Sequence, residues 1–124
     1  MVTVGTDIIE VDRIKRAIHR TKNFKNRVFT ATEIKYCQQK AHPEQHFAGR
    51  FAAKEALKKA IMSMVPDISS IPFKTFEINN SENGKPTVTI INDKFSDLEQ
   101  KYNLKVSISH IKSVATATAI MELI

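Results

Sequence analysis

Asp7, Arg50, Lys54, Glu55, Lys59 and His110 are the residues of this 124-residue chain with the most chemistry to offer. Four of them fall between Ala48 and Ala60, a stretch rich in strong helix formers apart from Gly49. At about 100° per residue, Ala53, Ala56, Leu57, Ala60, Ile61 and Met64 share one arc, the expected core face. Glu55 and Lys59 fall on the opposite side, one turn apart, with Ala48 and Ala52 beside them. Arg50, Lys54 and Lys58 line one flank. A carboxylate among cations can help hold Mg²⁺ while the cations hold phosphates. The same pattern also describes a solvated helix face with a Glu55–Lys59 pair worth about 0.2–0.5 kcal/mol. Asp7 is a second available carboxylate, and equally a helix cap. His110 sits at a strand end, where a histidine is often structural. His42 and His46 have Glu44 between them, the wrong place for a zinc-protease pattern, so they read as a polar helix start.

The elements that must carry these residues follow from periodicity. Val2 to Ile9 alternates loosely and predicts a strand, with Asp7 sharing a face with Thr3, Gly5 and Ile9. Val11, Ile14, Ala17 and Ile18 predict a basic helix, and Phe24, Val28 and Phe29 a short helical turn. Thr30 and Glu33 form a capping-box signature for a helix through Cys37. Pro43 suits the first turn of a long central helix from about Glu44 to Met64, which Pro66 stops. Strands are expected at Phe73 to Asn79 and Pro86 to Ile91, joined through the Asn83-Gly84 turn. Asn92 or Asp93 caps a short helix bearing Phe95 and Leu98. A strand around Leu104 to His110 turns near Lys112-Ser113 into a last strand, Val114 to Leu123. The order predicts an α+β fold with an antiparallel sheet, a long central helix and further helices packed on it, in one domain spanning residues 1–124.

Composition narrows the setting. Apolar residues are 42% and charged residues 26%, ordinary for a globular chain. No apolar run approaches the roughly 20 residues of a membrane span, and Asp7, Glu10 and Asp12 interrupt any signal peptide. The one cysteine, Cys37, excludes an internal disulfide, suits a reducing cytoplasm and reads as structural. The net charge is +6, concentrated in Arg13, Lys15, Arg16, Arg20, Lys22, Lys25 and Arg27, with no acid between Asp12 and Glu33. Acidic partners are expected.

Four stretches now bear on function together: Val4-Gly5-Thr6-Asp7-Ile8-Ile9-Glu10-Val11-Asp12-Arg13-Ile14, Gly49-Arg50-Phe51-Ala52-Ala53-Lys54-Glu55-Ala56, Asn83-Gly84-Lys85-Pro86 and Val106-Ser107-Ile108-Ser109-His110. In this order and spacing they resemble the holo-acyl-carrier-protein synthase family, the small phosphopantetheinyl transferases, and the resemblance runs essentially end to end. It implies an Mg²⁺-dependent transfer of 4′-phosphopantetheine from coenzyme A to a serine of apo-acyl carrier protein, releasing adenosine 3′,5′-bisphosphate and supporting fatty acid biosynthesis. It implies that Asp7 and Glu55 are the metal ligands, with Glu10 near them. Lys59 would approach the transferred phosphate, and Arg50 and Lys54 would also contact phosphate. Ser109 and His110 would contact the coenzyme A phosphates, and Gly84, Lys85 and Pro86 would line the nucleotide's path. Lys40 and His42 would stand near the 3′-phosphate. A basic first helix would dock the acidic carrier, with Arg13 as first anchor and Arg16 and Arg20 beside it. Neighbouring subunits of a homotrimer would share each site.

One stretch departs from the family. Many members follow the central helix with a Gly-rich run, where this chain has Met62-Ser63-Met64-Val65-Pro66-Asp67. The basic run also permits a small nucleic-acid-binding module. Against that, aromatics are 7%, Trp is absent, and neither an RNA-binding aromatic signature nor zinc spacing occurs. Neither nucleic acid nor membrane is therefore an expected partner.

Overall fold

Gly5 decides where the first strand lies. In the computed structural model, which describes residues 1–124, β1 (Val2–Glu10) runs against α4 (Pro43–Met64). A Cβ on Gly5 would fall 1.9 Å from the Ala56 carbonyl oxygen, so only glycine allows this approach. The Thr3 hydroxyl donates to the Ala60 carbonyl at 2.7 Å from the same face of β1. Thr3, Gly5, Asp7 and Ile9 therefore turn inward. Val2, Val4 and Ile8 point outward, 56%, 55% and 68% exposed.

Between β1 and α4 come α1 (Val11–Arg20), α2 (Phe24–Val28) and α3 (Ala31–Gln38). After α4 follow β2 (Phe76–Asn80), β3 (Pro86–Ile90), α5 (Asp97–Lys101), β4 (Tyr102–His110) and β5 (Val114–Leu123). β5 lies between β1 and β4 in an antiparallel three-stranded sheet. Asp7 stands opposite Ala117, which stands opposite Ile108. The inward residues of β5 are small or flexible (Ala115, Ala117, Ala119, Met121) and fully or nearly fully buried, so α4 settles onto the sheet's inner face. No helix is long and apolar enough to cross a membrane.

The expected elements are present, with two differences. β2 and β3 form a separate two-stranded sheet instead of joining the main one. The strand expected from Phe73 begins at Phe76, because Phe73–Thr75 closes a 3₁₀ turn after Pro72. The Thr30 capping box is made in both directions: the Thr30 hydroxyl accepts from Glu33 N–H at 3.2 Å, and the Glu33 carboxylate accepts from Thr30 N–H at 2.8 Å. The turn after α4 contains no residue at positive φ, so this backbone has no need of the family's glycines.

The single core arc expected for α4 is too narrow. Ala48 and Ala52 are buried as completely as Ala53 and Ala56, because the sheet covers one side of the helix and α1 and α3 the other. This corrects the expectation for Lys54. Its side chain is fully buried, with Nζ donating to the Glu33 carboxylate and to the Val28 carbonyl, both at 2.7 Å. Burial pulls its pKa down and the Glu33 carboxylate opposes that pull. With its ammonium enclosed, Lys54 cannot serve as a phosphate contact; it holds α4 to α2 and α3. Lys54→Met, which leaves Glu33 without its ammonium, is expected to lower unfolding free energy by about 3–5 kcal/mol. Urea denaturation checks this, and an unchanged midpoint would remove Lys54 from the core.

Candidate active site

α4 separates two cavities, and the expected site residues divide between them. On the β1 side, Asp7 and Glu55 open on one cavity of about 470 Å³, walled by Ile8, Ile14, Phe24 and Phe51 with Arg13 at its rim. The inward turn of β1 delivers Asp7, and the α4 face above Gly5 delivers Glu55. Each carboxylate has a lysine beside it. Lys59 Nζ donates to the Thr6 carbonyl at 2.8 Å and reaches Asp7 Oδ1 at 3.4 Å. Lys58 Nζ lies 3.7 Å from Glu55 Oε1 and 3.4 Å from the centroid of the Phe73 ring. Asp7, Glu55 and Lys59 are thus brought together from positions far apart in the chain.

No group of three or more His, Cys, Asp or Glu gathers anywhere in the structure. This donor set does not suit a tetrahedral zinc site or an all-protein calcium cage. Two carboxylates facing one open cavity do suit Mg²⁺, which takes one or two carboxylates and completes its shell with phosphate oxygens and water.

On the β4 side, a smaller cavity of about 230 Å³ is lined by Arg50, Gly84, Pro86 and His110, together with Tyr36, His46 and Asn80. Gly84 has φ +84°, the left-handed turn that glycine favours, and this bends the β2–β3 loop over the cavity. Asn80 joins loop and helix: its Nδ2 donates to the Gly84 carbonyl at 2.9 Å and its Oδ1 accepts from Arg50 Nη2 at 2.7 Å. The Arg50 guanidinium lies 4.1 Å from the Tyr36 ring centroid, and its buried Nε has no hydrogen-bond partner. Burial, opposed by nearby Arg50, pushes the Cys37 thiol up to about 11, which leaves it inert.

Two expected contacts are not gathered here. Lys85 is exposed and faces a shallow surface with Ser81, Glu82 and Thr87 on the far side of its loop. Ser109 is next to His110 on a strand, so its side chain leaves the opposite face. It stands in a row with Thr116 and Ile8 on the outer side of the sheet. On α1, Arg16 pairs with Asp12 at 3.2 Å with both side chains more than half exposed, and Arg20 is exposed. Glu10 and His42 are exposed, and Lys40 Nζ lies 4.5 Å from the Tyr36 ring centroid. Tyr36 and Asn80 carried no sequence signal. His46 did carry one, since it lies four residues before Arg50 on one helix.

The chain is similar to proteins of one family along nearly its whole length. A family model for the 4′-phosphopantetheinyl transferase superfamily matches residues 3–119. A holo-acyl-carrier-protein synthase of Clostridium beijerinckii is 44% identical, across 100% of this chain and 99% of that protein. One from Chlorobium limicola is 43% identical, across 97% of this chain and 93% of that protein. Among solved structures, the Helicobacter pylori holo-acyl-carrier-protein synthase in complex with coenzyme A superposes with a TM-score of 0.79 at 30% identity, covering 96% of this chain and 99% of that one. The Chronobacterium ammoniagenes ACPS–CoA complex gives a TM-score of 0.88 at 24% identity, covering 100% and 98%, and shows the shared fold. With sequence match and fold running through both cavities and nearly the whole chain, the chain belongs to the 4′-phosphopantetheinyl transferase superfamily.

Proposed function

We propose that this chain transfers the 4′-phosphopantetheine group of coenzyme A to a serine hydroxyl of apo-acyl carrier protein. The products are holo-acyl carrier protein and adenosine 3′,5′-bisphosphate, and the reaction supports fatty acid biosynthesis. One observation carries the reading: Asp7 and Glu55, from different elements, face one cavity with Arg13 at its rim. In the transfer the serine oxygen forms a bond to the β-phosphorus of coenzyme A, and the bond from that phosphorus to the bridging oxygen of the pyrophosphate breaks. Such transfers depend on charge neutralisation and positioning more than on covalent help. Asp7 and Glu55 would hold Mg²⁺, which supplies charge neutralisation at the pyrophosphate. Lys59, beside Asp7 and more than half exposed, is free to swing from it toward the transferred phosphate. Arg50, Gly84, Pro86 and His110 would hold the nucleotide.

Glu55→Gln keeps size and helix propensity, and is expected to cut transfer by about 100-fold or more, in line with losing one electrostatic stabiliser. The thermal midpoint should stay near wild type. Mass spectrometry of the carrier reads the transfer, and near-normal turnover at saturating substrates would reject the metal role.

Docking of an acidic carrier fits the α1 surface. Arg13 joins that basic surface to the Asp7 cavity, and Arg16 and Arg20 extend it. Arg13→Glu is expected to weaken carrier affinity while leaving coenzyme A affinity intact. Wild-type carrier affinity should fall with salt, since exposed charges are screened beyond about 10 Å at 0.1 M. A carrier titration unchanged in the variant would move docking off α1.

The two cavities open on opposite sides of α4, so one protomer does not enclose both ends of coenzyme A. The outer face of the sheet is uncovered and apolar, with Val2, Val4, Ile8 and Ile120 exposed, and Ser109 shares it. A cyclic homotrimer with the site between subunits accounts for both features. Asp7 and Glu55 of one protomer would then work with Ser109 and His110 of its neighbour. Glu55→Gln and His110→Ala, each folded and nearly inactive alone, are expected to recover part of the activity when refolded together. Mixed oligomers as inactive as either parent would exclude a shared site, and an active wild-type monomer in sedimentation would exclude the trimer.

A further inference from the structure

His46 stands in the opening turns of α4, at the polar helix start that the sequence suggested, and on the side of the helix away from Asp7. It lies one turn before Arg50 on α4, and its ring meets the His110 ring at 5.2 Å between centroids, 69° between planes. On its other side it meets the Tyr36 ring at 6.0 Å and 78°. The cavity wall therefore carries two imidazoles and the Arg50 guanidinium, and no Asp or Glu lines it. Arg50 is 4% exposed, and its Nε, buried and unpartnered, is a donor with nothing yet to donate to. A buried unpaired donor is costly, and the cavity wall it belongs to offers positive charge with no carboxylate to meet it.

We infer that His46, set against His110 and beside Arg50, is a second imidazole contact for the phosphate monoester of the nucleotide, and that it takes up a proton when that phosphate binds. This rests on the reading of the cavity as the nucleotide site. The monoester is chosen over the pyrophosphate because it carries about two negative charges on one group and needs no metal. This cavity offers cations and no metal-holding carboxylate.

The charged and titratable groups around His46 all bear on its protonation. Tyr36 faces it from α3 and His110 from β4, Lys40 lies on the connection before α4, and Glu44 and Arg50 share α4 with it. The hairpin contributes uncharged Asn80, Gly84 and Pro86. Burial lowers the His46 pKa first, His110, Arg50 and Lys40 lower it further, and only Glu44 opposes them. A charge on His46 is therefore disfavoured while the cavity holds no anion. A dianion reverses the balance, so the bound-state pKa rises above the free-state value. Binding then strengthens as pH falls from the bound-state pKa toward the free-state pKa, and the gain is lost as pH rises through the bound-state value. One linked proton gives at most about a tenfold change in affinity per pH unit.

The test is calorimetry with adenosine 3′,5′-bisphosphate at pH 7.5, where the phosphate is already largely dianionic. Two buffers of different ionisation enthalpy give the protons taken up. Wild type is expected to take up about 0.5–1 proton. His46→Gln should lose most of that uptake and bind about 5–10-fold more weakly, a loss of one charge-assisted contact. Coenzyme A lacking its 3′-phosphate should bind wild type and variant alike, with no uptake. NMR titration of the histidine C2 protons in wild type should show a raised imidazole pKa on adding the bisphosphate, which decides the matter even if the variant fails to fold. Tight binding with no proton uptake, or uptake unchanged in folded His46→Gln, overturns the inference while leaving the transferase reading intact. Failure of wild type to bind either coenzyme A or the bisphosphate overturns both.

Discussion

The buried Lys54–Glu33 pair is the interaction on which the other placements depend. Its carboxylate accepts from Thr30 N–H at the start of α3, from Lys54 on α4, and from Ile78 N–H on β2 at 2.8 Å. The ammonium adds the Val28 carbonyl at the end of α2. Four elements thus meet at two side chains. A charge taken out of water is tolerable only where its partners are all in place, so the pair fixes one orientation of α4 about its own axis. Once Lys54 points into this nest, Glu55 must emerge about 100° round the helix beside β1. Arg50, one turn back, must emerge beside Tyr36 and the β2–β3 loop. One internal contact therefore places both cavities.

The second constraint is the fit of β1 to α4 at Gly5. It brings Asp7 to the level of Glu55 and turns the apolar residues of β1 outward. A strand whose valines face solvent while an aspartate faces the helix inverts the usual pattern for a sheet packed on a core. In the trimer proposed above, the inner face would build a site and the outer face would meet another subunit.

Much of this was legible in the sequence. The capping box at Thr30, the α4 limits and the strand order followed from local rules that hold whatever the chain packs against. Asp7 and Glu55 were legible as a pair because their flanking motifs resemble a family, not because spacing brings them together. Lys54 was not legible. A lysine between Ala53 and Glu55 reads as exposed until the distant carboxylate that neutralises it is known. That Ser109 and His110 leave opposite faces of one strand was legible from strand geometry, but which face would be covered was not. The i, i+4 spacing of His46 and Arg50 was legible, but the contacts of His46 with His110, 64 positions away, and of Asn80 with Arg50, 30 positions away, are encoded by no local pattern.

The placement of β5 between β1 and β4 has a consequence for how the molecule comes into being. β1 is the first strand in the chain, yet its only sheet partner is the last. Asp7 therefore lacks its strand partner through the synthesis of more than a hundred residues, while α1 to α4 can already form and α4 can already receive β1 at Gly5 and Lys59. Closing so long a loop is entropically slow and gives a high contact order. The helical layer would assemble early, with the inner sheet face open to the ribosome's surroundings. The cavity of Asp7 and Glu55, lined entirely by residues between 7 and 55, would be framed with that layer, whereas the Arg50 cavity waits for Ile108 and His110. The two cavities are then completed at different times, and the nucleotide side is the last to be made.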